Sequence, residues 1–472
     1  MNIRNIISFS VGPLFGAVLG FITLPLIAWL FPQEDIGRFT LYQAVLGFGV
    51  MLFSLAMHQA YVREYHESPD KGVLLKLTVL PGGIFFLIFS CIFIFSPLSL
   101  SVLIFDVSSL SLDFMILGGL LLSYLINILV HVLRMQERGV AFSVAEVMPR
   151  LSHLLFIAII IIFFNAYDFQ DLIASNIIAL FVTFIALTFM LSPDIGSALR
   201  SRFNRRKMKS MLAFSMPLVV GSLSYWALTT MDRFFLRSLA GFEELGLYAV
   251  TVSIASVAAI LSKIFSNLWH PTVYRWAKEG VRPDRVQTVV DYMLVGVLSI
   301  WALAGLLSWF ITYLLPQEYN EIQYLVVACI AMPLLYMLSE TTVVGIGITR
   351  RSVFSMLASI LALVVNLILN FILIPEHGAA GAAMASAYSF CVFFVVRTES
   401  SCYVWENIRR NKMYLLLALY LMATTVTTFQ FFESQMISSL IWLLLLFLTG
   451  IMFYSRLSHA FLFVRNKVID RC

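Results

Sequence analysis

Stretches of about twenty predominantly apolar residues recur from one end of this chain to the other, and a bilayer core is the solvent that matches that length. Some are unbroken runs, such as Leu154–Phe164 and Leu440–Leu448. Soluble proteins carry about 25% charged residues. Here 12% of 472 residues are charged, 60% are hydrophobic and the mean hydropathy is +0.92, which excludes a soluble enzyme. A membrane β-barrel would show short alternating segments. Continuous apolar runs instead favour helices, which satisfy their own backbone groups in lipid. Five cysteines, three of them inside apolar stretches (Cys91, Cys329, Cys391), argue against a disulfide framework. The apolar run Phe9–Phe31 is too long for a signal peptide and reads as a first spanning helix.

The fold class expected is therefore an all-α polytopic membrane protein. About fourteen transmembrane helices are predicted, at 9–31, 38–60, 73–96, 112–134, 142–165, 171–191, 212–238, 245–268, 288–314, 322–345, 353–374, 379–401, 413–432 and 438–455. Basic residues in the loops set the orientation. With the N-terminus inside, 25 of the 31 Lys and Arg fall in inner segments, and Arg38 alone falls at an outer helix edge. Both termini are thus predicted to be cytoplasmic. The longest outer loop is Pro97–Ser111, too short to fold as a domain. The basic stretch Ser192–Met211 reads as a topogenic signal, with contact to anionic lipid as an addition. Nucleic-acid binding is not expected, because no aromatic platform accompanies the charge.

The chain also repeats itself. A shift of 209 residues places Glu34-Asp35-Ile36-Gly37-Arg38-Phe39 on Glu243-Glu244-Leu245-Gly246-Leu247-Tyr248. In each half this turn joins a first helix to a second. Six helices precede the seventh, so the repeat is parallel, with binding sites expected at the interface of the two parts. The predicted domains are a six-helix lobe at 1–191, a basic cytoplasmic linker at 192–211, a second six-helix lobe at 212–401, and two further helices with a cytoplasmic tail at 402–472.

Three stretches resemble a known family. They are Gly12-Pro13 through Leu24-Pro25-Leu26 to Glu34-Asp35-Ile36-Gly37; Met216-Pro217-Leu218 through Met231-Asp232-Arg233-Phe234 to the second acidic turn; and Asn370-Phe371-Ile372-Leu373-Ile374-Pro375-Glu376-His377-Gly378-Ala379-Ala380-Gly381-Ala382-Ala383. Together they resemble bacterial polysaccharide-repeat-unit flippases of the O-antigen (Wzx) type, in the superfamily that includes multidrug and toxic-compound extruders. The resemblance implies two lobes around a central cavity in the bacterial inner membrane. It implies an undecaprenyl-pyrophosphate-linked oligosaccharide as cargo, carried from the cytoplasmic to the periplasmic face by alternating access. Polysaccharide polymerase and chain-length machinery are further partners it suggests. No cofactor or metal is implied.

Charges inside helices are costly, ~2.5–3.5 kcal/mol each at the centre on insertion scales, so they usually face a cavity or a partner. The set here is Arg150, Arg233, Arg237, Lys263 and Arg397 against Glu146, Asp232, Glu340 and Glu399. Glu146 and Arg150 share one helix face, four residues apart. They read either as a self-neutralised pair or as a cargo contact in which Glu146 steadies Arg150, whose planar fork suits phosphate. Lys263 has no acidic neighbour at helical spacing. It either snorkels inward or meets the cargo's pyrophosphate. Arg233 is a third substrate-binding candidate, and Arg237 reads as an outer anchor. Asp232 and Glu340 are candidate sites for a coupling proton or cation. Tyr225 and Trp226 could stack on sugar rings. Arg397 and Glu399 lie at an inner helix end and read as snorkelling groups. The small residues Gly378, Gly381, Ala382 and Ala385 read as a close-packing stripe.

Two other functions share this layout: a cation-coupled drug or metabolite exporter, and a polyprenol-dependent polymerase or glycosyltransferase. The second would need a large, charged outer loop, and the longest here holds one charge, Asp106. The excess of Arg and Lys within the helices favours an anionic cargo over a cationic drug.

Overall fold

The computed structural model describes residues 3–163, 168–279, 283–432 and 434–454. The tail from residue 455, with Arg456, Arg465, Lys467 and Arg471, lies outside the described residues. Every regular element among the described residues is helical. In chain order these are α1 (Ile3–Ile27), α2 (Gln33–Ser54), α3 (Met57–Glu64), α4 (Lys71–Phe95), α5 (Leu100–Phe105), α6 (Leu110–Met135), α7 (Gly139–Phe163), α8 (Phe169–Met190) and α9 (Ser192–Arg200). There follow α10 (Arg205–Leu239), α11 (Phe242–Ala255), α12 (Val257–Lys278), α13 (Pro283–Leu307), α14 (Ile322–Thr342), α15 (Val344–Ile348), α16 (Val353–Val404), α17 (Asn411–Thr428) and α18 (Gln435–Met452). Two short 3-10 turns, Ser308–Tyr313 and Gln317–Tyr319, lie between α13 and α14. Ten of the described helices are long and apolar enough to cross a membrane, and the bent pair α11–α12 makes an eleventh. The protein is a multi-pass membrane protein, with its lipid-facing surface built from exposed Leu, Ile and Phe.

The 52-residue α16 is two helices rather than one. Gly378 has φ +48° and ψ −126°, a backbone conformation that needs the absence of a side chain. The chain reverses there. Asn366 and Ser386 come within 3.5 Å, and Gly381 sits against the carbonyl of Leu373. Glu244, from the repeated acidic turn, accepts the Ala379 N–H at 2.7 Å and so caps the returning half. In the first half of the chain the matching helix, α8, is capped by its own Asp168 and Asp171 in a reciprocal box.

The repeat runs through the element order from α1 to α8. A shift of 209 residues carries α2 onto α11 and the start of α12, α4 onto α13, α5 onto the first 3-10 turn and α6 onto α14. It then carries α7 and α8 onto the two halves of α16, while α1 falls within α10. Packing divides the chain slightly differently, into two compact units, Met1–Arg237 and Ser238–Cys472. The repeat thus restarts with α10, while most of α10 packs with the first unit. Trp226 lies against Phe48, and the Arg63 guanidinium sits 4.5 Å from the centre of the Phe214 ring. Arg237 Nη2 meets Asp106 Oδ1 at 2.7 Å, an ion pair between the end of α10 and the end of α5.

In the first unit α6 lies between α2 and α8, and α1 packs on α7. In the second, α14 is the buried centre, in contact with α11, α12, α13 and both α16 and α17. The returning half of α16 buries Ala379, Gly381, Ala382, Ala383, Ala385, Ser386 and Ala387. Small side chains let helix backbones approach closely where lipid offers no hydrophobic drive for association.

Candidate functional site

In the first unit, α1 presents Gly12, Gly16 and Gly20 at four-residue spacing, and α7 lies along that face. The Gly12 N–H donates to Ser143 Oγ at 3.0 Å. Two turns further along α7, the Arg150 side chain crosses the glycines. A Cβ on Gly16 would stand 2.9 Å from Arg150 Nη1, and one on Gly20 3.9 Å away. Arg150 and Glu146 are both exposed and form no direct ion pair, although the Glu146 carboxylate lies near enough for its charge to act on the guanidinium. What remains is a forked cation lying over a small-residue groove, with its carboxylate neighbour one turn away on the same helix. His153, three residues on, turns away from that face. It is 3% exposed and packs 5.1 Å from the Phe39 ring.

The candidates on α10 separate by role. Trp226 is a packing residue between Phe48 and Phe234, with its indole Nε1 close to Gly47. Tyr225, one position along, is exposed. Asp232 is 3% exposed and accepts the backbone N–H of Arg233 at 3.0 Å. Arg233 is half-buried and forms no ion pair among the described residues.

The second unit holds a polar cluster on α12, α14 and the returning half of α16. Glu340 Oε1 accepts from Arg397 Nη1 at 2.9 Å, and its Oε2 meets His270 Nε2 at 2.8 Å. Arg397 also donates to Ser339 Oγ at 2.9 Å and lies 4.8 Å from the centre of the Phe393 ring. Tyr336 stacks on that ring from the other side of the interface between α14 and α16. Glu340 and Arg397 side chains are 5% and 11% exposed, whereas His270 is 37% exposed. The carboxylate is therefore the buried hub, and the imidazole is its outward member. Both oxygens of Glu340 are engaged, so an added cation would have to displace a partner. Arg397 is inside the unit rather than snorkelling. Glu399, two residues on, is held at the helix end by Arg410 and Tyr414.

Lys263 lies on α12 seven residues before His270, about 10.5 Å along the axis and on the same side. Its side chain is exposed, and its ammonium has no ion pair among the described residues. Sequence reasoning found Lys263 and Glu340 but did not join Glu340 to His270 and Arg397. One signal was present: shifting His131 by 209 residues lands on Glu340. His131 too is polar, and its ring faces that of His58 at 4.7 Å. The same place on the central helix of each unit is polar.

No group of three or more His, Cys, Asp or Glu suited to a metal ion occurs among the described residues. The family described as polysaccharide biosynthesis protein matches residues 3–275. A probable low-salt glycan biosynthesis flippase of Haloferax volcanii is 21% identical over 84% of this chain and 82% of its own length. A capsular polysaccharide biosynthesis protein of Staphylococcus aureus is 23% identical over 82% of this chain and 96% of its own. Among solved structures, the lipid II flippase MurJ in an inward closed conformation aligns over 96% of this chain and 99% of its own, with a TM-score of 0.69 at 15% identity. An inward-facing multidrug transporter of the MATE family aligns over 83% of this chain and 94% of its own, with a TM-score of 0.55 at 14% identity.

Proposed function

Because the chain belongs to the polysaccharide biosynthesis protein family, we propose that it is a flippase for a lipid-linked oligosaccharide, a transporter and not an enzyme. The cargo in this reading is an undecaprenyl-pyrophosphate-linked repeat unit of a surface polysaccharide. It is taken up at the cytoplasmic face of the inner membrane and released at the periplasmic face by alternating access, with both termini of the protein cytoplasmic. Support comes from the similarity along most of the chain to a relative named as a glycan flippase and from the charge placement. The observation that carries the reading is Arg150, an exposed guanidinium held over the glycine face of α1 with Glu146 one turn away and no direct ion pair among the described residues. An exposed cation lies within a helix in each unit, Arg150 in the first and Lys263 in the second. Both are suited to phosphate, Arg150 through paired donors and Lys263 as a point charge.

The test is transport of lipid-linked repeat units in cells carrying single substitutions. Arg150→Ala and Lys263→Ala should each leave repeat units on the cytoplasmic face at normal protein level. Arg150→Lys should also impair transport, because the fork is lost, whereas Lys263→Arg should be mild. The double variant Glu146→Gln, Arg150→Ala removes any stranded carboxylate. Correct insertion with transport still absent supports the site. Surface polysaccharide at the wild-type rate in that double variant, or in Lys263→Ala, would make the phosphate contacts wrong. A wild-type-like surface with altered drug susceptibility would point instead to drug export on the same fold.

A further inference from the structure

A cleft of about 500 Å³ opens in the second unit between the first turns of α13, the segment joining α16 to α17, and the end of α18. Its floor is apolar, made by Val290, Leu294, Met413 and Phe453. Its rim is the polar segment Asn407–Lys412. Gln287 fixes that rim. Its Oε1 accepts the Arg409 N–H at 2.7 Å, and its Nε2 donates to the Arg409 carbonyl at 3.3 Å and to Asp291 Oδ1 at 2.8 Å. Arg410 is spent on Glu399, at 2.5 and 2.9 Å. Arg409 and Lys412 are different. Both are exposed at the rim, and neither has an ion pair among the described residues.

The cleft thus offers two cations without a direct ion pair among the described residues, Arg409 and Lys412, on a fixed rim above an apolar floor, with Asp291 held by Gln287 as the one carboxylate in its described lining. We propose that it binds the phosphate of an anionic glycerophospholipid, with Arg409 and Lys412 on the headgroup and the glycerol end of the chains against Val290, Leu294 and Phe453. The surroundings favour a lipid over free phosphate. Leu440, Leu443, Leu444, Phe447 and Ile451 form an exposed stripe at helical spacing along α18. Met452 and Phe453, at the C-terminal end of the same helix, line the cleft, so the apolar outer face of α18 begins beside the headgroup site. Basic pockets between membrane helices are a known way to hold anionic headgroups. The site is distinct from the cargo contacts proposed above and does not depend on them.

The experiment titrates phosphatidylglycerol into the purified, delipidated full chain and counts bound lipid by native mass spectrometry. Wild type should bind one phosphatidylglycerol in preference to phosphatidylcholine. Arg409→Gln, Lys412→Gln should weaken that binding about thirtyfold, since each basic group near anionic lipid is worth roughly fivefold. Both side chains are exposed, and a melting curve checks that the variant remains folded. Arg350→Gln, Arg351→Gln removes two exposed bases elsewhere in the unit and should change nothing. Equal binding in the Arg409/Lys412 variant, or an equal loss in the Arg350/Arg351 variant, overturns the site. Displacement of the lipid by an equal concentration of inorganic phosphate overturns the lipid assignment in favour of a soluble anion.

Discussion

Glu340 and Arg397 form a buried ion pair between α14 and the returning half of α16, 2.9 Å from Oε1 to Nη1. A buried pair gains little over an apolar one, but removing one partner strands the other. Arg397→Ala is expected to cost about 3–5 kcal/mol on that ground. Glu340→Gln, Arg397→Gln removes both charges together, so neither is left stranded, and should cost clearly less. Thermal unfolding of the three proteins in one detergent measures this. A double variant less stable than Arg397→Ala would show that burying the charges is not what the site balances.

The turn at Gly378 makes a backbone prediction. Its positive φ and the Glu244 carboxylate beside it leave no place for a side chain. Gly378→Ala should lower the yield of folded protein. Glu244→Ala removes only the cap on Ala379 and should cost about 1 kcal/mol. Retention on size-exclusion chromatography and melting temperature rank the two variants. A harmless Gly378→Ala would mean that the α16 hairpin is formed differently.

The glycine face of α1 separates packing from function. A Cβ on Gly12 would run into the backbone of Ser143, so Gly12→Val should separate α1 from α7 and reduce folded protein. A Cβ on Gly16 would crowd the far end of the Arg150 side chain and stand at ordinary contact distance, 3.6 Å, from the Glu146 carbonyl. Gly16→Ala should therefore fold normally and lower transport by displacing the guanidinium. Transport and protein level measured side by side test this. Unchanged transport in folded Gly16→Ala would argue that the Arg150 position over α1 is irrelevant.

Orientation is open to direct chemistry. On a background with its five cysteines replaced, Ser108→Cys should react with a membrane-impermeant thiol reagent in sealed cells, and Arg202→Cys should not. Both positions are exposed. Ser101, in the same loop, would be a poor reporter, because it is buried in α5 and hydrogen-bonded to Asp113. Labelling of Arg202→Cys alone would invert the topology and the direction of transport.

The sequence determined the class of structure. Unbroken apolar stretches admit only helices in lipid, and each expected segment among the described residues is helical. The 209-residue repeat was visible in one acidic turn, and it holds through α2, α4, α6, α7 and α8 and their counterparts. Periodicity also located the charges, because a residue's place along its own helix is fixed by counting. Tertiary structure alone decided what those charges touch. Four-residue spacing paired Glu146 with Arg150, yet Arg150 reaches across to the glycines of α1. Arg397 looked like a helix-end group, yet it closes on Glu340, 57 residues away, with His270 from a third helix on the other oxygen. Helical spacing defines faces within one helix. Which faces meet depends on how Gly378 folds α16 back and how closely its alanines let α14 approach, and those are properties of the packed chain.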